Sequence, residues 1–164
     1  MHRPFIHRAI EVRPVGPNRF AVFSTDNIGR GTRIEACAII PITKQAHTAL
    51  TKTRTSAADR LVQNPDGILK ERNILNSIAE MELEKRFDAG LVSTEDIKKI
   101  LFESGNLTQV LDIETHGFLS GYGSFYSKSQ YPNALIEYDA ESKLYNVTTV
   151  KDITPNTEIT YFTR

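Results

Sequence analysis

A mostly β fold of small sheets, broken by one helical block at about residues 44–105, is what this sequence of 164 residues predicts. Three observations carry that α+β class. Residues 5–42 hold short alternating apolar runs between clusters of Gly, Pro and Asn. Residues 44–105 hold apolar residues at helical spacing with recognisable caps. Residues 107–164 return to alternation and turn signals. The length suits a single domain, residues 1–164, with the helical block as an insertion.

Taken in order, Ala9-Ile10-Glu11-Val12-Arg13 alternates, and Pro14 to Asn18 turns the chain. Arg19-Phe20-Ala21-Val22-Phe23 is a second strand, and Asn27 to Gly31 turns again. Thr32 to Ile42 is a third strand region, in which Ala38-Ile39-Ile40 suits a buried strand. Lys44, Lys52 and Arg54, set among Thr43, Thr48, Thr51, Thr53 and Thr55, read as a solvated basic loop. Ser56 caps a short helix from Ala57 to Gln63, stopped by Asn64-Pro65-Asp66-Gly67. A longer helix runs from about Ile68 to Asp88. Leu75, Ala79, Leu83 and Phe87 make one apolar stripe beside Ile74 and Ile78, and Gly90 is its C-terminal cap. Ser93 caps a further helix ending before Gly105, with Asp96 at the capping-box position and Val92 and Ile97 as a hydrophobic staple. Ala134 to Tyr138 and Leu144 to Val150 pair as a hairpin across Asp139 to Ser142. Thr154-Pro155-Asn156 turns, and Glu158 to Phe162 is the last strand.

Composition narrows the function classes. Apolar residues make up 40% and charged residues 24% of the chain, with 20 basic and 20 acidic side chains and a pI near 6.9. That balance argues against a dedicated nucleic-acid binder and against a disordered chain. No apolar run approaches the roughly 18 residues of a membrane span, and the N-terminus lacks the apolar core of a secretion signal. The lone Cys37 excludes an internal disulfide, which makes a reducing, intracellular setting the default. His2, His7, His47 and His116 are dispersed, so no metal site is expected. Cys37 reads as a small buried strand residue rather than a nucleophile. Arg3, Arg8, Arg13, Arg19, Arg30 and Arg33 crowd the first 35 residues, whereas residues 111–164 carry an acidic excess. The two ends attract each other within one fold or between copies, or else form a solvated surface with weak pairs. Net charge near zero weakly predicts a protein that lives in contact with others.

Two stretches resemble a known family, the SET domain. Phe20 to Cys37 contains Ile28-Gly29-Arg30-Gly31-Thr32-Arg33-Ile34-Glu35, similar to the family's "I-x-x-G-T-x-I-E" turn and strand. Gly123-Ser124-Phe125-Tyr126-Ser127-Lys128-Ser129 through Pro132-Asn133 resembles "G-S-L-x-N-H-S-x-x-P-N". Val150 to Thr160 resembles "A-x-R-D-I-x-x-G-E-E-I-T". The resemblance implies a β-clip arrangement of small sheets and, for usual members, protein-lysine methylation with S-adenosylmethionine.

The family's chemical positions are altered here. Arg19 and Ala21 stand in the glycine pair, Ser127 and Lys128 in the Asn-His pair, and Thr163 where the catalytic tyrosine belongs. Ser129, Pro132 and Asn133 persist and read as structural. The resemblance implies a cofactor site of Phe20, Ala21, Val22, Ser127, Lys128 and Ser129. It leaves Tyr126 and Tyr161 as substitutes for the tyrosine, with Tyr161 the catalytic candidate. Losing several supports of methyl transfer at once favours a non-catalytic structural or interaction subunit without a cofactor. Small viral members make a virus or phage particle one such assembly. Its partners would be proteins in a larger assembly or further copies of the chain, inside a cell or a virus particle. The alternative is an S-adenosylmethionine-dependent protein-lysine methyltransferase with atypical motifs. A third reading, a nucleic-acid contact module, needs the N-terminal arginines gathered on one face.

Overall fold

The computed structural model describes residues 3–53, 56–88, 90, 94–95, 98–100, 102–103 and 112–162. The chain forms two compact units, one from residues 1–40 and 118–164, the other from residues 41–117.

In the first unit, strands β1 (Phe5–Ile6), β4 (Arg33–Cys37), β8 (Ser127–Lys128), β9 (Ala134–Asp139), β10 (Leu144–Thr149) and β11 (Thr160–Tyr161) form one sheet in the order β1-β4-β10-β9-β11-β8. The hairpin expected at residues 134–150 is its centre. Antiparallel pairs run from Leu144↔Asp139 to Thr149↔Ala134, and Lys143 closes the turn at φ 59°. β4 lies between β1 and β10, with Glu35 opposite both Ile6 and Val147. Strands β2 (Ile10–Gly16) and β3 (Arg19–Ser24) form a separate antiparallel ribbon. The turn after β2 is tighter than the sequence predicts. The strand runs through Pro14 to Gly16, and Asn18 alone takes positive φ, at 54°. Val22, Ile34, Val147, Ile159 and Tyr126 are fully buried and make the core of this unit.

The third strand region is two strands, β4 and β5 (Ile39–Ile42), and the expected burial is displaced. Ile40 is 54% exposed, whereas Ile34 to Cys37 are all buried. An apolar run identifies a strand but not its neighbours. β4 is buried along Ile34 to Cys37, so both of its faces are covered.

The second unit corrects the reading of residues 43–67. The stretch expected as a basic loop is a helix, α1 (Lys44–Lys52), and Thr43 is its N-cap, its Oγ1 accepting from Ala46 N–H at 3.1 Å. Threonine is a weak helix former, but one threonine at the cap and Lys44 paired with Glu71 outweigh that. Thr43→Ala is expected to cost about 1 kcal/mol. Urea unfolding that leaves the midpoint unmoved would remove the cap from the account.

Ser56–Arg60 is a 3-10 turn rather than the start of a helix to Gln63. Val62–Gln63 is a short strand, β6, paired with β7 (His116–Leu119) as Val62↔Gly117 and Gln63↔His116. Asn64-Pro65-Asp66-Gly67 starts the long helix α2 (Pro65–Asp88) rather than stopping one. Proline at the first helical position gives up only an amide that has no partner there, and Asp66 suits the positive end of the helix. The Asn64 carbonyl accepts from Ile68 N–H, and the Asn64 amide side chain donates to the Glu114 carbonyl at 2.8 Å. Gly67 lets the chain pass at that point, since a Cβ there would lie 1.8 Å from the Glu114 carbonyl oxygen. Leu75, Ala79 and Leu83 are half-buried as the stripe requires, and Gly90 takes φ 72° in the manner of a cap. Val92, Ser93, Asp96, Ile97 and Gly105 lie outside the described residues. The described residues 94–95, 98–100 and 102–103 have helical backbone.

Among the described residues, no helix is long and apolar enough to cross a membrane.

Candidate functional site

Every described residue that the sequence marks for the cofactor site lies in the first unit, on three segments far apart in the chain. Phe20, Ala21 and Val22 lie on β3, Ser127 and Lys128 form β8 with Ser129 next, and Tyr161 lies on β11. Backbone hydrogen bonds bring the three segments together. Ile159 N–H donates to the Val22 carbonyl at 2.8 Å, Ser24 N–H donates to the Thr157 carbonyl at 2.9 Å, and Phe23 bridges Glu158. Immediately downstream, β11 pairs in parallel with β8, Thr160 opposite Ser127 and Tyr161 opposite Lys128. Ser129 N–H donates to the Tyr161 carbonyl at 2.7 Å. The ring of Phe20 meets that of Phe125 edge-on, with centroids 6.0 Å apart.

Asn133 fastens the C-terminal strand to this arrangement. Its Nδ2 donates to the Glu158 carbonyl and its Oδ1 accepts from Thr160 N–H, each at 2.9 Å. Its main-chain N–H donates to the Thr160 carbonyl at 3.2 Å, and its own carbonyl accepts from Val150 N–H. Ser129 stabilises the turn before it, its Oγ accepting from Tyr131 N–H at 3.0 Å.

Side-chain placement separates the candidates. Ala21 and Val22 are buried in the core, so their side chains do not reach the surface. Phe20 is 46% exposed and Ser127 and Tyr161 are half-buried. Arg19 and Lys128, the two long cations that replace small or aromatic family residues, are both exposed, so neither fills the interior. Thr163 lies outside the described residues.

Tyr126 is removed from the catalytic candidates. It is fully buried, and its hydroxyl donates to Glu35 Oε2 at 3.4 Å. Burial, with Glu35 beside it, pushes the phenol well above its ordinary range, and full burial keeps its hydroxyl out of reach of a substrate. Tyr161 is left as the tyrosine at the converging strand ends.

Glu35 itself is a residue whose environment the sequence does not reveal. It is 1% exposed, and its carboxylate accepts from Tyr122 N–H at 2.9 Å through Oε1. Burial raises its pKa to about 7, against the opposing hydrogen bonds from the Tyr122 amide, Cys37 and Tyr126. Cys37 is fully buried, and burial beside Glu35 pushes its thiol far up, which makes it inert as a nucleophile. Alternation along Arg33 to Cys37 would put Glu35 on the face opposite Ile34. Both faces of β4 are covered, and that is why the period misleads. Phe125 was equally silent in the sequence, and only its contact with Phe20 marks it.

Among the other titratable groups, His47 and His116 are not dispersed in space. In the second unit their rings stack at 3.9 Å, nearly parallel. Burial first, then His47 and Lys44, lowers the His116 pKa. Parallel rings aim their nitrogens side by side rather than at one point. Among the described residues no three His, Cys, Asp or Glu gather as a metal site. Of the N-terminal arginines, Arg13 of β2 lies over Phe23, and Arg33 of β4 lies over Phe5.

The family model of the SET domain matches residues 19–162. That interval spans all three converging segments, and this chain belongs to the SET domain family. No curated protein matches the sequence. Among solved structures, the crystal structure of a Plasmodium falciparum "putative histone methyltransferase" aligns with a TM-score of 0.49 at 16% identity. The alignment covers 93% of this chain and 94% of that one.

Proposed function

We propose that this chain is an S-adenosylmethionine-dependent protein-lysine N-methyltransferase with atypical site residues. The observation that carries the reading is the convergence of β3, β8 and β11 in one unit, inside a chain of the SET family. It supports the enzyme over the structural subunit in that it leaves Phe20 exposed beside Phe125 at the convergence. When bound, S-adenosylmethionine supplies a methyl group on a cationic sulfonium.

The residues present fit that group in three respects. Phe20, exposed and braced by Phe125, offers an aromatic face to a cation or to adenine. The half-buried Ser127 offers a hydroxyl where the family has an amide. Arg19 and Lys128 point to solvent rather than into the protein. Tyr161 would orient the substrate amine by its hydroxyl, and the paired strand ends would limit water around it. The substrate must deliver a neutral lysine amine, so turnover is expected to rise with pH toward the alkaline side.

Calorimetric titration with S-adenosylmethionine and S-adenosylhomocysteine tests the proposal. Saturable binding in the micromolar range is expected, weakened about tenfold or more by Phe20→Ala, which removes one aromatic contact. Tyr161→Phe should keep that affinity and lower methyl transfer to a lysine-bearing protein about tenfold or more. No heat and no thermal stabilisation at millimolar ligand would sink the proposal. The chain would then stand as a SET-fold interaction subunit, the reading that Arg19, Ser127, Lys128 and Thr163 support by their departure from the family pattern.

A further inference from the structure

The loop of residues 121–128 carries Phe125 and Ser127, the parts of the proposed site that come from neither β3 nor β11. It has its own anchor. Glu35 lies on β4, held on both sides by β1 and β10. Its carboxylate meets the loop near both ends: the Tyr122 amide donates to Oε1 at 2.9 Å and to Oε2 at 3.3 Å, and the Tyr126 hydroxyl donates to Oε2 at 3.4 Å. Between those residues the chain makes a 3-10 turn, Gly123–Phe125. Two glycines fit the loop in, one against Glu35 and one against Leu119. A Cβ on Gly121, which takes φ 63°, would lie 3.3 Å from Glu35 Oε1, and one on Gly123 would lie 2.3 Å from Leu119 Cβ.

We propose that Glu35 is a positioning residue of this site, its buried carboxylate holding the loop at Tyr122 and Tyr126 and thereby presenting Phe125 and Ser127. The proposal deepens the methyltransferase reading and rests on it. Glu35 touches no candidate ligand position and acts only through the loop. Among the described residues, the titratable groups set against it are Cys37 on its own strand and Tyr126 from the loop, beside the Tyr122 main-chain amide. The flanking strands place Ile6 and Val147 opposite it. Its carboxyl changes protonation near neutrality, with a pKa raised to about 7 by burial. Ionised, both oxygens accept from the loop. Protonated, one becomes a donor, and the pair of contacts cannot be kept unchanged.

The test uses the full chain as wild type, Glu35→Gln and Tyr126→Phe. Amide NMR spectra are recorded from pH 5.5 to 8.5, with S-adenosylhomocysteine titrations at pH 6 and pH 8. In wild type, the Tyr122 amide resonance should move with a midpoint near 7. Affinity should be about tenfold higher at pH 8, the worth of one hydrogen bond to a charged group. Glu35→Gln should leave the Tyr122 amide flat and abolish the affinity difference. Tyr126→Phe, which keeps the ring and removes one donor, should move the midpoint upward. A Tyr122 amide that ignores pH in wild type, or Glu35→Gln binding like wild type at both pH values, overturns the proposal. Wild type that binds no S-adenosylhomocysteine while its Tyr122 amide still titrates overturns the functional reading. Glu35 is then supported as the loop's anchor.

Discussion

Folding stability should fall by about 3 kcal/mol as the pH is raised from 4.5 to 7, and Glu35→Gln should remove most of that fall. The cause is one buried carboxyl whose pKa is raised from 4.5 to about 7. Between those values the folded chain binds more protons than the unfolded chain, so stability drops as protons are withdrawn. The contribution is fully present below the unfolded pKa and is lost as pH rises through the folded one. Above about 7 it stays constant. A pKa that differs by one between the folded and unfolded chain corresponds to about 1.4 kcal/mol, which sets the size. Urea unfolding at pH 4.5, 5.5, 6.5 and 7.5 measures it. The difference between wild type and variant isolates Glu35 from other groups, including His116, whose lowered pKa acts with the opposite sign. Equal pH dependence in the two proteins would mean that Glu35 titrates like a surface carboxylate and is not enclosed as described.

Asn133→Ala should cost about 3 kcal/mol and release the C-terminal strand. The Asn133 side chain is the partner of Thr160 N–H and of the Glu158 carbonyl, and alanine can serve neither. Leaving a buried donor or acceptor without a partner costs about 1–3 kcal/mol for each group. The effect reaches function because residues 157–161 join β3 to β8. Ligand affinity should fall with stability. Asn133→Asp keeps an acceptor for Thr160 N–H but sets a carboxylate oxygen against the Glu158 carbonyl, so it should also destabilise, and more so above the carboxyl's pKa. A loss under about 0.5 kcal/mol in Asn133→Ala, the range of an ordinary surface substitution, would remove Asn133 from its place as the strand's clasp.

How much of this was legible in advance differs from one element to the next. The 134–149 hairpin was legible because alternation and turn chemistry are local. The framework of the site was legible because the motif residues keep their order. Asn133 shows how far that goes: its persistence pointed to a structural role, and the role is a bond to residues 25 and 27 positions away. The start of α2 was misread because Asn-Pro-Asp-Gly is chemically both a turn and a helix entry. Packing of Gly67 against the Glu114 carbonyl selects the second. Tyr126 and Tyr161 were both substitutes on paper, with Tyr161 preferred. One is enclosed with Glu35 and the other stands half-buried on β11.

The sequence by itself determined the class of fold and the family, and it marked the three segments that meet in the first unit, since these rest on local periodicity and on the order of short motifs. Only the tertiary structure decided which side chains are buried and hence what chemistry they have. β4 is paired with strands that begin near residues 5 and 144, and Glu35 meets a loop almost 90 residues downstream. Burial is set by neighbours in space, and a strand's own residues do not encode who those neighbours are.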